Sequence, residues 1–257
     1  MIVAATSLTY RNKRNTNMPE QIACAKGDGF AACELHGRFP GERRFSGEDI
    51  DAALRGNLLF SVHAHYRDNN ISSLDEDTRN TGISRIKEDI LFAEAIGARV
   101  VVVHPGSFEE RREEEGYERL NRSLCELIPF ARDRQVVFTL ENMDGTGNKL
   151  CSSHRDVGNV LALHPELKLT VDFAHLGMTR QDIPSFLDDF ADRIAHFHIS
   201  GYVPEKPHPE VSLDESQIDF SPCLRRIRNW DMLIAIEVSD RPGLMRSRAI
   251  VEEALRP

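Results

Sequence analysis

The stretch Arg99-Val-Val-Val-Val-His-Pro-Gly106 decides the fold class. Four consecutive valines leave no polar face, so a strand here is covered by apolar layers on both sides, as in a parallel sheet flanked by helices. An antiparallel sandwich would alternate apolar and polar residues instead. The run stops at His104, and Pro105-Gly106 opens a loop.

Outward from it the same unit recurs, a short β-branched apolar run followed by a longer, charged, helix-like segment. Strands are predicted at 2–6, 31–35, 58–64, 99–104, 136–141, 167–172, 194–199 and 232–238. Helices are predicted at 19–26, 47–55, 82–96, 110–131, 155–163, 183–189, 222–228 and 246–255. Ser46 with Asp49, and Ser221 before Pro222, are expected as helix N-caps, and Gly97 and Gly56 as left-handed C-terminal residues. Eight such units in 257 residues point to the α/β class and to a single (β/α)8 TIM barrel, a closed eight-stranded parallel sheet in one domain over residues 1–257. A doubly wound open sheet is the competitor, but Thr6-Ser-Leu-Thr-Tyr-Arg11 after the first strand holds no glycine-rich fingerprint.

Composition narrows the function. With 40% hydrophobic and 28% charged residues the chain is globular, and a formal net charge of -9 with only six lysines disfavours nucleic acid as a partner. Five cysteines (Cys24, Cys33, Cys125, Cys151, Cys223) without CxxC spacing suggest reduced core thiols. The N-terminal residues show no signal-peptide pattern, and no apolar stretch is long enough for a membrane span, so a cytoplasmic protein is expected. Homo-oligomerisation is compatible with the sequence.

Metal-capable side chains recur at one place, the C-terminal end of the strand. They are His63 in Ser-Val-His-Ala-His, His104, Glu141 in Thr-Leu-Glu-Asn, Asp172 and His175 in Val-Asp-Phe-Ala-His, His198 in His-Phe-His-Ile, and Glu237 in Ile-Ala-Ile-Glu-Val. A lone strand-end histidine is more often a hydrogen-bonded structural residue, and a lone aspartate there often caps the next helix. Six consecutive strand ends, from the third to the eighth, are a different matter, because a barrel brings them to one mouth. Imidazoles with carboxylates suit Zn²⁺, Mn²⁺, Fe²⁺ or Co²⁺ better than Mg²⁺. His65 and His196 stand two residues from His63 and His198, so strand alternation turns them to the same face as pocket groups. His154 and His164 read as surface or helix-end histidines, and the run 109–115 as a solvated helix start. The loop 201–218, with three prolines, is the longest irregular connection and is expected to be functional.

At these residues the sequence resembles the xylose isomerase-like barrel superfamily, which includes sugar and sugar-phosphate isomerases and epimerases and also endonuclease IV, an enzyme acting at abasic sites in DNA. The epimerase branch implies one divalent metal ion (Zn, Mn or Co) held by Glu141, Asp172, His198 and Glu237, with Glu141 and Glu237 as the catalytic acid/base pair and a small sugar or sugar phosphate as substrate. His63, His65, Asn142 and His196 are then expected to bind substrate. The endonuclease branch implies up to three ions, with His63, His104, His175 and His208 as further ligands. The sequence departs from it at Glu205-Lys-Pro-His208, where an Asp-x-His pair is expected. It departs from both branches at Gly201, where an aspartate is frequent. The leading expectation is a metal-dependent isomerase or epimerase. The alternatives are an endonuclease IV-like phosphodiester hydrolase and a non-catalytic metal- or sugar-binding barrel.

Overall fold

The computed structural model describes residues 1–11, 17–37, 45–204, 206 and 211–256. Its strands are β1 (Ile2–Thr6), β2 (Ala32–His36), β3 (Leu59–His63), β4 (Val100–Val103), β5 (Val137–Glu141), β6 (Lys168–Asp172), β7 (Ile194–Ile199) and β8 (Leu233–Ile236). They form a closed barrel in sequence order, every neighbouring pair parallel and β8 pairing back onto β1. The helices are α1 (Met18–Gly27), α2 (Gly47–Gly56), α3 (Glu76–Ile96), α4 (Glu113–Arg132), α5 (His154–Leu163), α6 (Phe173–Met178), α7 (Ile183–Asp189), α8 (Ser221–Ile227) and α9 (Arg241–Ala254). Among the described residues no helix is long and apolar enough to cross a membrane.

Local chemistry sets the boundaries. The Ser46 hydroxyl accepts from the Asp49 N–H at 3.2 Å while the Asp49 carboxylate accepts from the Ser46 N–H at 2.7 Å, the reciprocal capping box expected at the start of α2. Gly97 closes α3 in the left-handed region, φ 67°. At the end of α2 it is Asn57, φ 54°, that turns left-handed. Gly56 stays helical and lies against Ile22, whose Cγ2 a Cβ would meet at 2.9 Å. Ser221 is the first residue of α8, not its cap. Its own N–H goes to the Asp219 carboxylate at 2.9 Å.

Three helices differ from expectation in extent. α3 begins six residues early because Asp75 caps Thr78 N–H, and α9 five residues early because Asp240 caps Gly243 N–H with Pro242 in the first turn. α4 begins three residues late, since Arg111 sits at φ +63° and cannot continue a right-handed turn. α6 has no counterpart among the helices expected from sequence. Cys24 and Cys125 are exposed rather than in the core, whereas Cys33, Cys151 and Cys223 are buried as expected.

Alternation within each strand divides the interior in two. One set of residues, including Cys33, Leu35, Val62, Val101, Val103, Phe138, Leu140, Val171, Phe197, Ile199 and Ile236, packs under the helices in the large core. The other set faces the barrel axis and changes character along it. Ala4, Ala32, Leu233 and Ala235 make a small apolar floor. Above it lie the buried Glu34, Ser61, Thr139, Thr170 and His196, and at the strand ends the charged groups. The Thr139 and Thr170 hydroxyls bond each other at 2.7 Å in the middle layer. A polar interior is tolerated because its members find partners across the barrel.

Candidate metal centre

Strand register delivers four donors to one point. Asp172 on β6 is level with His198 on β7, and Glu141 ends β5 next to them. Glu237 follows β8, its N–H bonded to the Ile199 carbonyl at 2.9 Å. Glu141, Asp172, His198 and Glu237 each offer a ligand atom, all within 4.8 Å of one another, and all four residues are buried. This is the set that the epimerase resemblance implies.

Glu141 also belongs to a second group. His104 Nε2 lies 3.0 Å and His63 Nε2 3.5 Å from its Oε2, while His198 Nδ1 lies 3.2 Å from its Oε1. His63, His104 and Glu141 together could hold an ion. One carboxylate thus faces two sets of imidazoles with its two oxygens. His63 Nδ1 points at the Ala64 carbonyl, 3.0 Å away, which leaves Nε2 turned to Glu141.

The second strand adds two residues the sequence reading missed. Glu34 and His36 lie in Ala-Cys-Glu-Leu-His, a charged residue inside an otherwise apolar strand and a histidine two positions on, which is the signal that could have found them. His36 is level with His63, and the two rings stack at 4.8 Å. His36, His63 and Glu237 form a third cluster, and Glu34, His196 and His198 a fourth. Tyr66 lies edge-on to His63, with 5.1 Å between ring centroids, and tilted over His104 at 4.9 Å.

The remaining expected residues fall into place unevenly. Asn142 is fully buried and its amide clamps the Asp172 backbone, donating to the carbonyl at 3.2 Å and accepting from the N–H at 2.9 Å. His175 Nδ1 lies 2.8 Å from the Asn142 carbonyl and 3.4 Å from Glu141 Oε1. His196 is buried in the middle layer, its Nε2 on Glu34 at 2.8 Å, below the mouth. His65 lies beyond β3, which ends at His63, and it joins none of the four ligand clusters found among the described residues. Its N–H instead goes to Asp89 at 2.7 Å. His208 lies outside the described residues. His154 sits at the surface on Asp189, and His164 caps the end of α5, as expected.

The electrostatics fit a cation. Burial alone would raise the Glu141 carboxyl, but the charge of His198 and the neighbouring His104 hold it well below the usual carboxylate range. Burial would lower His198, yet Glu237, Glu34 and Glu141 raise it well above the usual imidazole range. His104 is pushed down to about 4 by burial, against the opposing pull of Glu141. Glu34, Glu141, Asp172 and Glu237 are each 5% exposed or less. Buried carboxylates at this density need compensating positive charge, and oxygen with imidazole donors is a set that divalent transition ions and zinc accept.

Gly201 explains one departure. Its N–H bonds the Val211 carbonyl at 2.8 Å. A Cβ built on it would stand 2.7 Å from Val211 Cγ1 and 2.9 Å from the Ser212 carbonyl carbon. The returning segment occupies the space a side chain would need.

The chain belongs to the xylose isomerase-like TIM barrel family, whose family model matches residues 22–256. It is 29% identical over 201 residues to the uncharacterized protein MJ1188 of Methanocaldococcus jannaschii, covering 75% of this chain and 73% of that protein. Among solved structures it is similar to a D-tagatose 3-epimerase-like protein, with a TM-score of 0.86 and 22% identity, 99% of this chain and 97% of that chain being covered. It is also similar to endonuclease IV from Thermus thermophilus, with a TM-score of 0.74 and 20% identity over 98% of this chain and 100% of that chain. At these identities the two likenesses show a common fold, which in this family carries both sugar epimerases and endonuclease IV.

Proposed function

We propose that the protein is a divalent-metal-dependent isomerase or epimerase acting on a small sugar, sugar phosphate or related polyol. The observation that carries this reading is the shared group of Glu141, Asp172, His198 and Glu237. The two glutamates come from β5 and from the residue after β8, with Asp172 and His198 on the two strands between, so two carboxylates flank one position. These four residues would hold the ion, which would supply Lewis-acid polarisation of a substrate carbonyl. One glutamate removes the proton from the adjacent carbon, and the other returns a proton to the opposite face or to the neighbouring carbon. Asp172 and His198 hold position, and Tyr66 with His36 and His63 walls the mouth and limits water.

Incubating the metal-loaded chain in deuterium oxide with a panel of ketoses, their phosphates and D-tagatose, and reading carbon-bound deuterium by NMR, tests the proposal. Exchange that Glu237→Gln abolishes supports it. Exchange unchanged in that variant removes the assigned role of Glu237.

A second reading, an endonuclease IV-like phosphodiester hydrolase, is favoured by the His63, His104 and Glu141 group. There Glu141 would bridge two ions and orient the attacking water. The net charge of -9 argues against a DNA partner. Cleavage of an abasic-site duplex, without deuterium exchange into any sugar, would select this reading.

A further inference from the structure

We propose that Glu34 is a positioning residue that fixes the tautomer and ring orientation of His198, so that His198 offers Nδ1 to the ion. The role rests on the metal-centre reading above and extends it one layer deeper into the barrel.

Glu34 lies below the mouth, fully buried on β2. Its Oε2 meets three groups, the Ser61 hydroxyl at 3.0 Å, His196 Nε2 at 2.8 Å and His198 Nε2 at 3.2 Å, and Oε1 lies 3.0 Å from the same His198 nitrogen. The three contacts converge on one oxygen at hydrogen-bond distances, and both oxygens face His198 Nε2. The other nitrogen of His198 looks the opposite way, with Nδ1 3.2 Å from Glu141 Oε1 and 3.6 Å from Glu237 Oε2. An imidazole has two nitrogens, and a carboxylate that accepts a hydrogen bond from the N–H of one keeps the proton there and leaves the lone pair on the other. Glu34 therefore selects which nitrogen can ligate. It also raises the basicity of that nitrogen and places a compensating negative charge behind it.

His196 completes the device. It is level with Thr170 on β6 and Leu233 on β8, and its ring stands nearly perpendicular to that of His198, 5.2 Å away. It reaches Glu34 from below the mouth, so the same residue that sequence alternation assigned to the pocket serves as a prop under it. Glu34, His196 and His198 could themselves enclose an ion. That arrangement would need His198 to ligate through Nε2 and would break its contact with Glu34, so the two alternatives differ in one measurable nitrogen.

The test uses the full chain loaded with zinc. In wild type, long-range nitrogen–proton NMR of the imidazoles is expected to show the His198 proton on Nε2 and the ion on Nδ1. A proton on Nδ1 overturns the proposal without any variant. Zinc affinity measured by calorimetry against a competing chelator is expected to fall roughly 10- to 100-fold in Glu34→Gln, with the number of ions unchanged. Glu34→Asp should recover part of the loss. Wild-type affinity in Glu34→Gln, or a loss there with the His198 proton still on Nε2 and the ring signals unmoved, overturns the role of Glu34 alone. A wild-type chain that binds no divalent ion overturns the metal-centre reading and this role together.

Discussion

His104 Nε2 stands 3.0 Å from Glu141 Oε2, on the carboxylate oxygen that His198 does not reach. The two oxygens of one glutamate are therefore divided between two ligand groups. Under the binuclear arrangement, His104→Ala should lower the zinc retained after dialysis by one ion per chain and leave the ion at Asp172 and Glu237 in place. Elemental analysis of both proteins checks this, and equal metal content in the two would mean that His104 holds none.

Asp172 has two jobs that one substitution can separate. Its carboxylate caps α6, accepting from the His175 N–H at 2.8 Å, and it also belongs to the four-donor group. Asparagine caps a helix as well as aspartate does. Asp172→Asn should therefore change the stability of the metal-free chain by less than about 1 kcal/mol, while metal affinity drops at least tenfold. Thermal unfolding and a zinc titration on the same sample separate the two effects.

Metal affinity should weaken on acidification. The carboxylates around His198 raise its affinity for a proton, and an ion at Nδ1 must displace that proton. Binding is expected to be weaker at pH 6 than at pH 8 and to release protons into the buffer. Calorimetry in buffers of different ionisation enthalpy measures the release, and affinity independent of pH would contradict a proton–metal exchange at His198.

Asp89 in α3 should make the fold lose stability as pH rises from 3.8 to about 7. Burial raises its carboxyl from 3.8 to about 7, and Glu88 adds to this against the opposing His65 N–H. A carboxyl raised in the folded state lends stability that is fully present below its unfolded value and is lost as pH climbs through the folded one. From 3.8 to about 7 the loss is on the order of 4 kcal/mol. Asp89→Asn should flatten the dependence, which urea unfolding at pH 5 and pH 8 will show.

The barrel was legible in the sequence because its strands advertise themselves. Val100–Val103 has no polar side, and each strand end from the third onward carries a conspicuous polar residue. The four-donor set was readable for the same reason. What escaped had a physical cause. Glu34 sits mid-strand, where a buried charge is rare, and only the fold reveals His196 and His198 as its partners. The helix α6 has six residues and no amphipathic period to display, and Asp172, its cap, stands out in the sequence for its metal chemistry instead. His65 misleads because it lies beyond the last residue of β3. Asn142 looks like a substrate contact from its place beside Glu141, yet its amide is spent on the backbone of Asp172.

The crowding at Gly201 bears on how this corner of the mouth can change over time. The chain leaving β7 and the chain returning at Val211 are laced together. A side chain cannot be introduced on the first without rerouting the second. An acidic side chain at position 201 would therefore demand a shifted path for the backbone at Val211 and Ser212, so a change at this one codon would have to be matched by changes in the segment facing it.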